Sequence, residues 1–155
     1  MQQEYNIAII DTSCLILLKK IGELDLLKAV FEENYTTDEV LMEFGNPLPQ
    51  WILIKSPKNR NYQKILELEI DIGEASAISL SLEIPNSIII LDDLKARKIA
   101  KRLKHTYTGT FGVILKAKKL GIINSVKPIL KKIQSTNFRF SSSIFEAVLR
   151  NANEY

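Results

Sequence analysis

The sequence predicts an α/β fold in which helices cover both faces of a mostly parallel sheet of four to five strands. Two short apolar runs, at residues 7–10 and 88–91, have the length and β-branching of strands that are buried on both faces. Segments with helical periodicity separate these runs from three weaker strand candidates, as expected for βαβ crossovers. The 155 residues are therefore predicted to form one three-layer α/β/α domain, with residues 125–155 as a helical C-terminal extension of it.

Local signals place each element. The predicted strands lie at residues 6–10, 35–36, 51–55, 88–91 and 106–108. Capping residues and breakers such as Pro47 and Pro49 set the helix boundaries, because proline lacks an amide donor and has a fixed φ. The helices are expected to begin at or near Thr12 or Ser13, Leu24, Thr37 or Asp38, Tyr62, Glu74, Asp93, Gly109 or Thr110, Ser125 and Ser141.

The composition is that of a globular protein. Hydrophobic residues make up 46% of the chain, and no apolar run approaches the roughly 20 residues that cross a bilayer. The first six residues carry no basic segment ahead of an apolar stretch, so we expect no secretory signal. Cys14 is the only cysteine, and its apolar neighbours predict a buried thiol. We therefore expect a cytoplasmic protein without membrane contact.

Carboxylates occur where the two buried strands end. Asp11 follows the first strand, and Asp92 with Asp93 follow the second. The carboxyl ends of central parallel strands line the ligand crevice of an open α/β sheet, so we expect these acids to meet there. Glu43 and Glu74, on two predicted helices, are further candidates. Gathered acids repel each other unless a cation joins them, and Mg²⁺ or Mn²⁺ prefers such oxygen ligands.

Each acid also has a purely structural alternative. Asp11, Asp92 or Asp93 is a suitable helix N-cap, and Glu74 stabilises a helix from its first turn. Glu43 is, in this alternative, an ordinary solvated glutamate. Taken as a set, the acids favour one or two divalent ions; two ions roughly 4 Å apart activate water at a phosphodiester.

The basic residues give weaker evidence of a polyanionic partner. The net charge is +3, and lysines and arginines are concentrated just after Asp93. Lys95, Lys98 and Arg102 share one helical face and are candidates for guiding RNA, the alternative being a solvated helix face. Arg97 lies four residues after Asp93, a spacing that either orients this carboxylate across one turn or leaves the arginine to contact phosphate.

The sequence gives little support for other kinds of active site. His105 is the only histidine, so a His-rich zinc site or a Ser-His-Asp triad is poorly supported. The segment GTFG has neither dinucleotide spacing nor a following Lys-Ser/Thr, so Thr110 is an N-cap or a hydroxyl that reaches the water at the metal. A phosphatase with an early Asp-x-Asp needs a carboxylate where this chain has Ser13, and receiver-like domains carry their acid pair after the first strand.

Five segments occur in an order that is typical of one known family and cover nearly the whole chain: IIDTSCLI, DEVLMEF, DIGEASAISLSLE, IIILDDLKARKIAKRL and TGTFGVILKAKKLGII. On these segments the chain resembles PIN-domain proteins, in particular the compact prokaryotic branch of toxin-like ribonucleases. The resemblance implies a metal-dependent endoribonuclease. The acids that it brings into one pocket are Asp11, Glu43, Glu74 and one of Asp92 or Asp93, with Thr12 or Ser13 matching the family's hydroxyl after the first aspartate.

The resemblance also implies roles and partners. Asp11, Glu74 and Asp93 are expected to hold the metal, with Asp92 as the alternative ligand, and Glu43 to hold a metal or orient the water. In-line attack would leave 5′-phosphate and 3′-hydroxyl ends. Many members of this branch are toxins that a small antitoxin protein silences, and they commonly dimerise. One departure is Glu74, where the family more often has Asp. The alternative function is that of a catalytically inactive PIN-like protein that binds RNA or acts as a scaffold.

Overall fold

A five-stranded sheet forms the centre of the fold in the computed structural model, which describes residues 5–155. The strands are β1 (Ile7–Ile10), β2 (Glu33–Thr36), β3 (Ile52–Ile54), β4 (Ser87–Ile90) and β5 (Tyr107–Thr108). Their order in the sheet is β3-β2-β1-β4-β5, and every neighbouring pair is parallel. This confirms the predicted α/β/α fold. Residues 1–4, on which the expected lack of a secretory signal and the start of the predicted domain depend, lie outside the described residues.

Helices connect the strands and cover both faces of the sheet. Within residues 5–155 they are α1 (Thr12–Lys20), α2 (Asp25–Val30), α3 (Asp38–Phe44), α4 (Arg60–Leu66), α5 (Ile72–Glu83), α6 (Leu94–Arg102), α7 (Thr110–Lys119), α8 (Lys127–Gln134) and α9 (Ser142–Asn151). None of these helices combines the length and the apolar character that a bilayer-spanning segment needs. The N-cap of α1 is Asp11 rather than the predicted Thr12 or Ser13, because the backbone is extended at Asp11 and helical from Thr12 onward.

Two hydrophobic cores lie on opposite faces of the sheet. Successive side chains of a strand point to opposite faces, so Ala8 and Ile10 pack into one core, and Ile9 packs into the other. The first core includes α1, α2 and α7, and the second includes α5 and α6. Cys14 is completely buried in the first core, as predicted. Burial on both faces explains why β1 and β4 are continuous apolar runs in the sequence.

The helices α8 and α9 extend the first core at the C-terminal end of the chain. Ile129, Ile133 and Val148 are buried against this core. Glu154, which follows α9, accepts hydrogen bonds from the Lys118 ammonium at 2.7 Å and from the Val126 amide at 2.9 Å. These contacts tie the chain after α9 to the C-terminal end of α7 and to the start of α8.

The register of the sheet determines where the strand-end acids lie. Ile10 of β1 is opposite Ile90 of β4, and the Asp11 amide donates to the Ile90 carbonyl at 3.2 Å. The chain therefore leaves both central strands at the same edge of the sheet, with Asp11 and Asp92 only one or two residues beyond the strand ends.

Candidate active site

A cavity of about 360 Å³ lies at the carboxyl edge of the sheet, and we call it the acidic cavity. Its lining residues are Asp11, Ser13, Leu17, Glu43, Asp71, Glu74, Asp92, Asp93, Phe138, Arg139 and Phe140. Six of these are carboxylates, and they include all five acids that the sequence singled out. A larger cavity of about 480 Å³, between the ends of α7 and α9, is lined by lysines, asparagines and small or apolar residues. The concentration of carboxylates, and not the volume, makes the acidic cavity the candidate site.

Asp11 is the most deeply buried of the six acids. It occupies the N-cap position of α1 but accepts no capping hydrogen bond, and its side-chain Oδ1 is buried without a partner in residues 5–155. Only 4% of the residue is exposed. Burial, and after it the negative charges of Glu74, Asp71 and Glu43, raises the pKa of Asp11 to about 8. The Asp11 side chain therefore does not cap α1 through a hydrogen bond, and its buried carboxyl group requires a proton or a cation.

Glu74 and Asp71 are linked by a capping box at the start of α5. The Glu74 amide donates to Asp71 Oδ1 at 2.8 Å, and the Asp71 amide donates to Glu74 Oε1 at 3.3 Å. The helix therefore begins at Ile72, two residues before the predicted start at Glu74. Glu74 is 9% exposed, and burial together with the charges of Asp71 and Asp93 raises its pKa to about 7. Glu74 therefore has both predicted roles: it stabilises the first turn of α5, and it lines the acidic cavity.

The sequence analysis did not identify Asp71 as a site residue. The signal was available, because Asp71-x-x-Glu74 has the spacing of a capping box. A capping aspartate that exchanges hydrogen bonds with a cavity glutamate must itself lie near the cavity.

Glu43 reaches the cavity from α3 through a space that Gly73 leaves open. A Cβ atom on Gly73 would lie 2.6 Å from Glu43 Oε2 and 3.5 Å from the Thr12 hydroxyl. That hydroxyl is buried without a hydrogen-bond partner in the described chain. The other glutamate of this helix face, Glu39, forms an ion pair with Arg60 at 2.7 Å. The two glutamates of α3 therefore have different environments, and only Glu43 lines the cavity.

Asp92 and Asp93 both line the cavity, and each is also held by a neighbouring helix. Asp92 accepts hydrogen bonds from the Thr110 amide at 2.8 Å and from its hydroxyl at 2.6 Å. Asp93 is the N-cap of α6 and accepts from the Ala96 amide at 2.9 Å. The prediction of Thr110 as an N-cap is wrong, because Gly109 occupies that position and Thr110 donates to Asp92 instead. A Cβ on Gly109 would approach Asp92 Oδ1 to 2.6 Å.

Arg97 does not orient the Asp93 carboxylate, which was the first of the two roles considered for it. Its guanidinium lies over the ring of Tyr107, 5.0 Å from the centroid. In residues 5–155 no ion pair joins Arg97 to Asp93, whose carboxylate caps its own helix. The four-residue spacing is therefore not used for an ion pair between these two residues.

The proposed RNA-guiding residues lie on α6 outside the cavity lining. Lys95 and Lys98 are exposed, and Arg102 forms a 3.6 Å ion pair with Glu69 in which both side chains are largely exposed. Ser13, predicted as a supporting residue, lines the cavity, whereas Thr12 lies behind Glu43 and Gly73.

The segment Phe138–Phe140 also lines the acidic cavity, and the sequence analysis missed it. These residues lie between α8 and α9, more than forty positions after the last acid. Arg139 is the only cationic residue that lines this cavity in the described part of the chain. No local pattern points to the segment, because its position depends on how α8 and α9 pack against the first core.

The donor set fits a divalent cation in its chemistry. Carboxylate oxygens are the ligands that Mg²⁺ and Mn²⁺ take, and the unpartnered Asp11 oxygen offers one that no protein group satisfies. No group of three or more His, Cys, Asp or Glu side chains in residues 5–155 is, however, already closed around a common ion position. Neighbouring carboxylates repel each other when ionised, so a cation would have to draw these side chains closer together than they lie in this structure.

Comparison with known proteins identifies the family of this chain. A family model described as a PIN domain matches residues 7–154, a range that contains all six acids and the segment Phe138–Phe140. No curated protein matches the chain. PIN domains are typically nucleases. A match over almost the whole length shows that the chain belongs to the PIN-domain family and has its nuclease fold.

Proposed function

We propose that this protein is a metal-dependent endoribonuclease that hydrolyses phosphodiester bonds in RNA. The observation that supports this most is the Asp11 carboxylate, buried and unpartnered in a cavity with five further acids. A fold does not maintain such a charge for stability, because burying an uncompensated carboxylate is costly. A divalent cation would compensate it, and its remaining positive charge would attract an RNA phosphate.

The positions of the acids support a division of roles. Asp11 is the central ligand, with Glu74 and one of Asp92 or Asp93 completing the set around one or two Mg²⁺ or Mn²⁺ ions. When bound, such a cation would polarise the phosphate and lower the pKa of water, so that hydroxide becomes available as the nucleophile. The pKa of Glu43 is raised, first because its carboxyl group is partly desolvated in the cavity and then by the negative charge of Asp71, so it is suited to accept the proton of the attacking water. In-line attack leaves 5′-phosphate and 3′-hydroxyl ends.

We further propose that the enzyme is the toxin of a toxin–antitoxin pair, with a small antitoxin protein and a possible second copy of the chain as partners. Exposed apolar side chains occur next to the acids along the chain: Met42 is 81% exposed, Ile72 55% and Leu94 73%. Such residues beside an active site are typical of a surface that a protein partner covers. Expression of the wild-type chain should arrest growth, and expression of Asp11→Asn should not.

The direct test is cleavage of a panel of transfer, ribosomal and messenger RNAs with Mn²⁺ or with EDTA. We expect cleavage with Mn²⁺ only, and its loss in Asp11→Asn and Glu74→Gln. A matched control is Lys28→Ala, because Lys28 is exposed on α2 near the amino end of β2, at the opposite edge of the sheet. Cleavage that persists in both acid variants would refute the assignment of the site.

One observation favours the alternative of an inactive RNA-binding or scaffold protein: no three acids are already closed around a cation position in residues 5–155. The same experiment separates the two functions. RNA that binds but stays intact with every cation tested would establish the inactive binding protein.

A further inference from the structure

The segment Phe138–Phe140, which we call the FRF ridge, is held rigidly beside the acidic cavity. Phe140 makes edge-to-face contacts with Phe111 and Phe145, with ring centroids 4.7 and 6.2 Å apart. At the other end, the Phe138 amide donates to the Thr136 hydroxyl at 3.2 Å. Both phenylalanines are thus anchored, and Arg139 between them is exposed.

The FRF ridge separates two cavities. On one side is the acidic cavity. On the other is a groove of about 230 Å³, which we call the aromatic groove and which is lined by Gln134, Phe138, Arg139, Phe140, Ser142 and Phe145. All three ridge residues line both spaces, so a ligand that leaves the acidic cavity across Arg139 enters the aromatic groove. The groove offers aromatic rings together with the polar groups of Gln134 and Ser142.

We propose that the FRF ridge binds the RNA strand next to the scissile phosphate, with Arg139 on a backbone phosphate and an unpaired base in the aromatic groove. This inference rests on the proposed function. A guanidinium binds phosphate through two parallel hydrogen bonds. Aromatic side chains take bases of any sequence on their faces. Arg139 lies between the acidic cavity, where the scissile phosphate would bind, and the aromatic groove, where a base would bind. This order of binding sites matches the order of phosphates and bases along one RNA strand.

The occupant is an unpaired nucleotide and not a duplex. In an A-form duplex the bases are stacked and paired, and reading bases by stacking requires an unstacked strand. The aromatic groove is therefore expected to take a nucleotide from a single-stranded segment, such as a loop or an end.

Fluorescence anisotropy provides the test, with a labelled single-stranded RNA decamer and a hairpin duplex of equal charge. Binding is measured on Asp11→Asn protein with Mn²⁺, so that cleavage does not interfere. We expect Arg139→Ala to weaken binding of the single strand about tenfold and to reduce the slope of log K against log salt by about one phosphate contact. Arg139→Lys keeps the charge and should restore the slope, but only part of the affinity. Lys28→Ala should change neither.

A second variant probes the groove by removing the aromatic ring while keeping most of the apolar volume. Phe138→Leu should weaken single-strand binding about fivefold and leave the salt slope unchanged, because stacking carries no charge. The duplex should bind weakly and respond to neither variant. In addition, 2-aminopurine placed in the decamer should be quenched on the parent protein and remain bright on Phe138→Leu, a change that a general loss of stability does not produce.

The outcomes distinguish this inference from the proposed function. If the wild type cleaves RNA and both ridge variants bind the single strand as tightly as their parent, the ridge proposal is overturned and the nuclease stands. If no cleavage occurs but the ridge variants lose single-strand affinity, the ridge proposal stands and the nuclease falls. If an acidic peptide binds through Arg139 and RNA does not, the ridge is a protein-binding surface and this inference is wrong.

Discussion

Asp92 accepts two hydrogen bonds from Thr110, one from the backbone amide at 2.8 Å and one from the hydroxyl at 2.6 Å. This pair fixes the carboxylate at the carboxyl end of β4 from the first residue of α7. Because Thr110 is completely buried, its hydroxyl has one orientation toward Asp92 and no contact with solvent. The threonine acts on the site by positioning a carboxylate.

Replacing Thr110 should therefore affect catalysis more than binding. We expect Thr110→Val to lower kcat about tenfold and to destabilise the fold by about 1 kcal/mol, since one hydrogen bond to a charged, half-buried acceptor is lost. Thr110→Ser keeps the hydroxyl and should keep most of the activity. Steady-state cleavage and urea unfolding measure the two effects. Equal activity of the valine and serine variants would contradict the positioning role.

The buried charge of Asp11 should make the metal-free protein less stable as the pH rises. Its pKa of about 8 lies above the ordinary value of 3.8, so the folded state holds a proton that the unfolded chain releases over this range. The free energy of unfolding therefore falls between about pH 4 and pH 8. Asp11→Asn should lose the part of this slope that Asp11 contributes, while Glu74 keeps its own part, and the variant should exceed the wild type by at least about 2 kcal/mol at pH 8. Urea unfolding in EDTA at pH 5, 6.5 and 8 checks this, and parallel curves for the two proteins would refute it.

Divalent cations should reverse that instability. A ligand that binds only the folded state raises stability by mass action, so millimolar Mn²⁺ should raise the Tm of the wild type by several degrees. Asp11→Asn should show a much smaller rise. Thermal unfolding with Mn²⁺, with Ca²⁺ and with EDTA measures the effect independently of cleavage. An equal rise in both proteins would mean that the cation binds elsewhere.

Substitutions at two glycines should affect the cleavage activity and the stability of the fold separately. Gly73→Ala places a Cβ 2.6 Å from the end of the Glu43 side chain, which is flexible and moves aside. We expect about tenfold lower activity with stability unchanged or slightly raised, because alanine favours the helix. Gly22→Ala has open space but a φ of +73°, so it should cost about 1 kcal/mol and leave kcat unchanged. Cleavage rates and urea unfolding test both; the opposite pattern would show that Gly73 serves packing.

The contact of Glu154 should hold the C-terminal end of the chain in place. Burial alone raises its pKa, but hydrogen bonds from Lys118, Ser125 and the Val126 amide outweigh this and lower the pKa to about 2. This stabilisation is present above about pH 4.5 and is lost as the pH falls toward 2. Glu154→Gln should cost about 1 kcal/mol at pH 7. The control is Glu146→Gln, an exposed residue of α9; equal unfolding curves for both variants at pH 7 would disprove the anchor.

The predictable features of this protein are those that short patterns encode. Burial on both faces makes β1 and β4 continuous apolar runs, and the parallel sheet then places Asp11 and Asp92 at one edge. The capping box of Asp71 and Glu74 is a local pattern as well, and reading it would have placed the start of α5 correctly.

The remaining features depend on tertiary packing. Arg97 has the sequence spacing for an ion pair with Asp93, but its guanidinium lies over the ring of Tyr107 in β5 instead. The FRF ridge reaches the acidic cavity because α8 and α9 carry the chain back across the first core. Helical periodicity predicts which face of each helix is buried, but it does not predict the direction of the loop that follows the helix.

The central position of β1 has a consequence for synthesis of the chain. Its two neighbours are β2, which begins at Glu33, and β4, which begins at Ser87. Among residues 5–155, Thr110 is the residue that donates hydrogen bonds to the Asp92 carboxylate. A nascent polypeptide therefore lacks the contact that holds Asp92 until residue 110 has left the ribosome, and under the proposed function we expect it to spare the RNA that surrounds it during translation.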